Sequence, residues 1–368
     1  MKIDRITSRV VRLPLARPIV TATVTAADTW FLLVRVETED GLRGEAFIWS
    51  YSAEISRCLQ AMVGELSRHA LGADPRQTEA IWAAMWKGTV QWGHAGITVM
   101  ASSVIDMAVW DAAALAAGQP LGRMLGLRTT KVAGYASHGL WIGNDLDALQ
   151  REAREYVDMG FRAMKMRAGR TRVEDDVAAV RAVREAIGAE VGLMVDFGSA
   201  PSPQRAEALA TALDDLGLLW IEDPIVDENE REHAQLAARL RTPVCFGEKV
   251  YSPQGFVRLI EAKACDHLMA DLQRAGGVTG WLRIAALADA AGLPLSSHIL
   301  PEFNVHLVAS APTGAWLEYL PWAEDLCLDR MELVDGHYAL PERAGFGVRL
   351  DEERIRTVLQ DTRTFTRG

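Results

Sequence analysis

From about residue 130 onward, a short apolar run ending in a polar or charged residue is followed by an amphipathic stretch, and this unit recurs eight times. The runs are KVAGYAS (131–137), FRAMKMR (161–167), VGLMVD (191–196), LLWIED (218–223), TPVCFGE (242–248), DHLMAD (266–271), LPLSSH (293–298) and AWLE (315–318). Segments such as DALQREAREYVDMG, VEDDVAAVRAVREAIG and TGWLRIAALADAAG lie between them with helical spacing, each closed by Gly as a helix stop. Strands alternating with helices imply a parallel sheet. The polar residues ending the second to eighth runs stand at 167, 196, 222, 248, 271, 298 and 318, at intervals of 29, 26, 26, 23, 27 and 20. Each interval is the length of one βα unit, and eight units in about 190 residues favour a closed barrel over an open doubly wound sheet. A barrel gathers its strand ends at one mouth, where such folds do their chemistry.

The first 125 residues lack this rhythm. TWFLLVRVETEDGLRGEAFIWS alternates as strands around a DG turn, and helical stretches follow near 52–70, 76–87 and 97–117. The organisation expected is an α+β domain over 1–127, a barrel over 128–325, and a tail over 326–368 that packs back on the first domain. At 368 residues, 49% hydrophobic and 24% charged, the chain has an ordinary globular composition. Its net charge of −10, with no Lys/Arg cluster, argues against a nucleic-acid partner but leaves room for a small anionic substrate. Cys58, Cys245, Cys265 and Cys327 form no C-x-x-C pair, which points to a reducing cytoplasm. Charges interrupt MKIDRITSRVVRLPL, and Gln91, His94, Ser102 and Ser103 interrupt the uncharged stretch 88–105, so neither a signal peptide nor a membrane span is expected.

Asp196, Glu222 and Glu248 end three consecutive runs. On neighbouring barrel strands they converge, and unpaired carboxylates so placed repel one another. A hard divalent cation with open positions for water and substrate resolves that repulsion, and Mg²⁺ suits all-oxygen ligation. Asp271 and His298 end the next two runs. There the carboxylate can fix the imidazole tautomer and leave the other ring nitrogen as a base near neutral pH. Lys165 and Arg167 point to one face by strand alternation, and Glu318 is a candidate acid or donor to a substrate carboxylate if burial raises its pKa. His138 and His306 read as structural, whereas His94, in a Gly-flanked stretch, could reach a ligand.

FRAMKMRAG, LMVDF, WIEDP, GE, DLQRAGGVTGW, SSHILPE and APTGAWLE, in this order and spacing, together with PLARPIVTA and IDMAVWD, resemble the mandelate racemase subgroup of the enolase superfamily over nearly the whole chain. The resemblance implies a modified TIM barrel, (β/α)₇β, under an α+β capping domain built from the N-terminal part and the returning tail. It implies a Mg²⁺ ion that binds the substrate carboxylate and stabilises an enediolate after loss of the α-proton. By position, Asp196, Glu222 and Glu248 resemble the metal ligands, His298 with Asp271 the base dyad, and Glu318 the donor to the enediolate. Lys165 resembles the first lysine of a K-x-K pair and Ser137 a residue that touches the substrate carboxylate. The second lysine, normally the base on the opposite face, is Arg167 here, and Gly198 stands where many relatives have Asn. A homo-oligomer, dimer or octamer, is also implied.

The arginine bears on the reaction. At an ordinary pKa of 12.5 or above it is neutral in about 1 part in 10⁵, so using it as a base costs roughly 7 kcal/mol. His298 starts near 6.5. Racemisation needs a competent group on both faces of the α-carbon. Dehydration needs one base, because the protonated His or Glu318 can help the β-hydroxyl leave. The reading is a Mg²⁺-dependent dehydratase giving a 2-keto-3-deoxy acid. Alternatives are a mandelate-like racemase or epimerase, a lactone cycloisomerase, and a binding protein without turnover. The racemase is favoured by the apolar segment Leu15–Thr29, whose only charges are Arg17 and Asp28 and which the resemblance places over the mouth as a specificity loop, and by Trp92, Trp141 and Trp322 in other candidate mouth loops.

Overall fold

The computed structural model describes residues 1–20, 25–199, 202–225 and 229–367, without the side chains of residues 16 and 17. Three long strands open the chain: β1 (Ile3–Val20), β2 (Thr25–Thr38) and β3 (Arg43–Ser50). The turn between β2 and β3 holds Gly41 at φ 86° and donates its amide to Thr38 O at 2.8 Å. Helices α1 (Ala53–Ser67), α2 (Thr78–Gly88) and α3 (Ile97–Ala117) follow, close to the three stretches expected.

All eight apolar runs are strands: β4 (Lys131–Ala136), β5 (Ala163–Arg167), β6 (Gly192–Asp196), β7 (Ile221–Glu222), β8 (Val244–Phe246), β9 (His267–Asp271), β10 (Leu295–His298) and β11 (Trp316–Tyr319). β4 to β10 pair in sequence order and β11 pairs in parallel with β4. Leu295 N to Thr313 O at 3.0 Å and Ala315 N to Leu295 O at 2.9 Å join β10 to the residues entering β11 and close the barrel. Tyr135, Ala163, Met194, Trp220, Cys245 and Met269 fill the interior as one buried layer. The intervening helices are capped as their sequences direct, with Asp145 Oδ1 accepting Ala148 N at 2.7 Å and Ser202 Oγ accepting Arg205 N at 3.2 Å.

The tail divides its attention. β12 (Leu333–Val334) and β13 (His337–Ala339) form a hairpin that runs antiparallel to the start of β4, on the barrel rather than the first domain. β14 (Leu359–Thr366) returns to the first sheet, antiparallel to β1, Glu352 pairs with Arg9 and Arg35 of that sheet, and Phe346 N donates to Asp111 of the first domain at 2.7 Å.

α3 fastens the cap to the barrel. It is apolar all round, and though long and apolar enough to cross a membrane, it is a core helix with 83% of its most apolar window buried. Its Asp106 accepts Thr279 N at 3.0 Å and Thr279 Oγ1 at 2.8 Å, and Trp110 Nε1 donates to the same hydroxyl at 2.8 Å. A Cβ on Gly277 would come within 2.5 Å of Asp106 Oδ2, and its φ is 76°, so the close approach requires glycine there. IDMAVWD and DLQRAGGVTGW therefore meet in one interface.

The segment Leu15–Thr29 is not a free loop. Val20 pairs with Thr25 and Ile19 with Ala26, so its described flanks continue the β1–β2 hairpin. Residues 21–24 and the Arg17 side chain lie outside the described residues. Asp28 faces outward to Arg12 at 2.7 Å.

Candidate active site

Strand register builds the site. Arg167 lies level with Asp196, Asp196 with Glu222, and His298 with Asp271. Glu248 follows β8 by two residues, Glu318 lies within β11, and Ser137 directly follows β4. All nine residues singled out from the sequence thus come to one mouth, where Arg167, Asp196, Glu248, His298 and Glu318 line a cavity of about 100 Å³. Lys165, Glu222, Asp271 and Ser137 are buried behind that lining.

His298 Nδ1 lies 2.7 Å from Asp271 Oδ2. A carboxylate only accepts, so Nδ1 carries the proton and Nε2 is the nitrogen presented to the cavity, 3.2 Å from Glu248 Oε2. Asp271 is itself held: its Oδ1 accepts the amides of Gln273 and Arg274 at 2.8 and 3.0 Å, and its Oδ2 takes Arg274 Nη1 at 3.0 Å. Burial disfavours the imidazolium, but the charge of Glu248, the bond to Asp271 and the charge of Glu318 outweigh it and lift His298 to about 9.

On β5, Lys165 Nζ is paired with Glu222 Oε1 and lies 2.8 Å from Glu318 Oε1, fully enclosed. Burial opposes its charge, yet those two carboxylates keep its pKa above the ordinary value. Arg167 Nε stands 3.1 Å from Asp196 Oδ2, Nη1 donates to Ser137 O at 3.0 Å, Nη2 donates to Ser137 Oγ at 3.1 Å, and the guanidinium covers the Trp141 ring at 4.9 Å. Burial lowers and Asp196 raises its pKa, with a net shift upward.

Each of the three proposed ligands is matched by a cation of the chain: Asp196 by Arg167, Glu222 by Lys165, Glu248 by the imidazole. Accordingly, among the described residues no three acidic, His or Cys side chains are already closed about a point. The donor set nevertheless fits a hard divalent ion. It is all carboxylate, drawn from adjacent strands, and carries more negative charge than burial tolerates. Burial drives Glu222 up to about 7 against the pull of Lys165, with Asp196, Glu248 and Glu318 adding to the rise.

Glu318 corrects an expectation. Burial pushes its carboxyl up, but Lys165, His298, Arg167 and the Ile299 amide hold it down at about 2. It accepts Ser137 Oγ at 2.6 Å and Ile299 N at 2.7 Å, so it is an ionised acceptor and not a protonated donor. Ser137 accordingly spends its hydroxyl proton on Glu318. Trp141 and Trp322 line the cavity, whereas Trp92 is 68% exposed and does not. Of the described part of Leu15–Thr29, Ile19 reaches the lining. His94 stacks on Trp86 and bonds its carbonyl at 2.9 Å, away from the mouth, and His306 bridges Gly122 N and Phe346 O. Gly198 donates its amide to Asp196 Oδ1 at 2.6 Å.

Sequence reasoning missed the ion pair of Arg274 with Asp271 and a second one beside it. Lys249 lines the cavity with Nζ 2.6 Å from the fully buried Asp223 and 2.7 Å from Ser199 Oγ. Asp223 was legible as the acid beside Glu222, but only the left-handed backbone at Asp223, φ 44°, turns its side chain toward Lys249.

Comparison with known proteins follows the same lines. Residues 5–126 match the mandelate racemase / muconate lactonizing enzyme N-terminal domain, and residues 148–354 match the enolase C-terminal domain-like family. The L-talarate/galactarate dehydratase of Salmonella typhimurium is 31% identical over 350 residues, covering 94% of this chain and 88% of that one. The 3,6-anhydro-alpha-L-galactonate cycloisomerase of Streptomyces coelicolor is 30% identical over 355 residues, covering 96% and 98%. The crystal structure of an enolase from alpha proteobacterium BAL199 with bound Mg superposes with a TM-score of 0.94 at 35% identity, covering 98% of this chain and 99% of that one. The chain belongs to the mandelate racemase/muconate lactonizing enzyme family of the enolase superfamily.

Proposed function

We propose that this chain is a Mg²⁺-dependent dehydratase that converts a polyhydroxy sugar acid into a 2-keto-3-deoxy acid and water. The observation that carries the reading is the inequality of the two cationic positions at the mouth. His298 is a dyad base with Nδ1 fixed by Asp271 at 2.7 Å, whereas Arg167, on β5, is tied to Asp196, Ser137 and Trp141. One competent base is what dehydration needs. The similar dehydratase supports the same reading.

Asp196, Glu222 and Glu248 would hold the Mg²⁺, which when bound supplies positive charge against the substrate carboxylate as the α-proton leaves. With the charge of Glu248 committed to a cation, the main electrostatic support of the imidazolium is reduced, and His298 is released toward its ordinary range as a base. Nε2 takes the α-proton. The β-carbon–oxygen bond then breaks, the hydroxyl departs as water with a proton returned from Nε2, and the enol product tautomerises to the keto acid. Glu318 anchors Lys165, Ser137 and the Ile299 amide.

A second reading, racemisation of an aromatic 2-hydroxy acid, is favoured by the indole walls from Trp141 and Trp322. Proton NMR in D₂O with Mg²⁺, across aldonic, aldaric and aromatic 2-hydroxy acids, decides between them. Loss of the α-proton with a new 2-keto-3-deoxy product is expected, and it should vanish in His298→Asn. α-Deuteration with inversion and no water loss establishes the racemase, and a rearranged lactone product a cycloisomerase.

A further inference from the structure

Resting on that reading, the lining of the mouth narrows the acid it accepts. Its charged side chains and those buried behind them are already matched to one another. Lys165 is shared by Glu222 and Glu318, Arg167 faces Asp196 at 3.1 Å, Lys249 meets Asp223 at 2.6 Å, and Arg274 meets Asp271 at 3.0 Å. A second substrate carboxylate would meet, among the described residues of the lining, no cation that lacks an acid of its own.

The remaining wall is built to receive something else. Ile19 and Trp49 come from the first domain, Trp141 and Ile142 from the loop after β4, and Leu320 and Trp322 from the chain after β11. Trp49 Nε1 is buried with no hydrogen-bond partner, a neutral donor suited to a hydroxyl or ring oxygen and not to a charge that needs a counter-ion. Placing a carboxylate against such a surface strips its water without replacing it. We infer that the substrate is a monocarboxylic sugar acid whose far end is uncharged and poor in hydroxyls, of the deoxyaldonate class, and that Trp141, Ile142 and Trp322 set this preference.

The test separates binding from turnover. Mg²⁺-loaded His298→Asn protein is titrated by tryptophan fluorescence with deoxyaldonates and with aldarates of equal chain length. Deoxyaldonates should bind at least about tenfold more tightly, and kcat/KM of the unaltered enzyme should follow the same order. Ile142→Arg, which adds a cation to a half-buried wall position, should narrow or reverse the gap. Aldarate binding as tight as or tighter than deoxyaldonate binding overturns the inference, and an unchanged gap in Ile142→Arg overturns the role of that wall. If the binding order holds but no acid loses its α-proton, the dehydratase reading fails and the substrate class stands.

Discussion

Asp271 holds His298 with one carboxylate oxygen and the first turn of its own following helix with the other: Oδ2 lies 2.7 Å from His298 Nδ1 while Oδ1 accepts the amides of Gln273 and Arg274. The base is thereby oriented by a helix cap. Asn caps a helix nearly as well as Asp, but its amide can present N–H to Nδ1 and impose the wrong tautomer. Asp271→Asn should therefore lower kcat by about 10²- to 10⁴-fold, as should His298→Asn. Retained α-proton exchange in either variant would remove the dyad from the reaction.

Arg167→Lys exchanges a guanidinium tied to Ser137 and Trp141 for an amine that can be neutral within reach of physiological pH. The expected outcome is new α-deuteration with inversion, read by chiral analysis of recovered acid. A variant that merely loses activity refutes the view that Arg167 is what prevents chemistry from a second face.

Mg²⁺ should stabilise the protein more at high pH than at low. His298, lifted to about 9 from an ordinary 6.5, favours the fold fully below about pH 6.5, and that contribution is lost as pH rises through about 9. Glu222, lifted to about 7 from an ordinary 4.5, likewise favours the fold at low pH and loses that contribution as pH rises from about 4.5 through about 7. A cation among the carboxylates relieves both. The gain in Tm on adding Mg²⁺ should be larger at about pH 9 than at about pH 6, and binding near neutrality should release protons, measured by calorimetry in buffers of different ionisation heat. Equal gains with no proton release would exclude the ion from Glu222 and Glu248.

Lys249→Met strands Asp223, which is fully buried, without its cation. A cost of about 3–5 kcal/mol in urea unfolding is expected, and adding Asp223→Asn should recover most of it. Additive losses in the double variant would show that the two side chains do not act as a pair.

The barrel was readable because each strand carries its own apolar run and its own polar terminus, so local pattern and global fold agree. The same property put Asp196, Glu222, Asp271 and His298 at one mouth before any coordinates. What stayed hidden depends on partners distant in sequence. Glu318 reads as an acid that burial protonates until Lys165 and the Ile299 amide are seen on it. The hairpin of β12 and β13 lies on β4 because β5 reaches that strand only at Ala136 and Met164, leaving earlier residues of β4 an open edge that no local pattern announces. Leu15–Thr29 is expected as a specificity loop from the family resemblance, yet cross-strand pairing with β2 keeps its described flanks extended.

The pairing of β14 with β1 also sets a timetable. Arg5 stands opposite Thr366, so the outer edge of the first strand finds its partner only after about 360 further residues have been made. At roughly 5–20 residues per second, that edge waits about 20–70 s with its backbone groups exposed. The cap that supplies Ile19 and Trp49 to the mouth is begun before the barrel and completed after it, and a nascent chain is most open to wrong pairing along β1 during that interval.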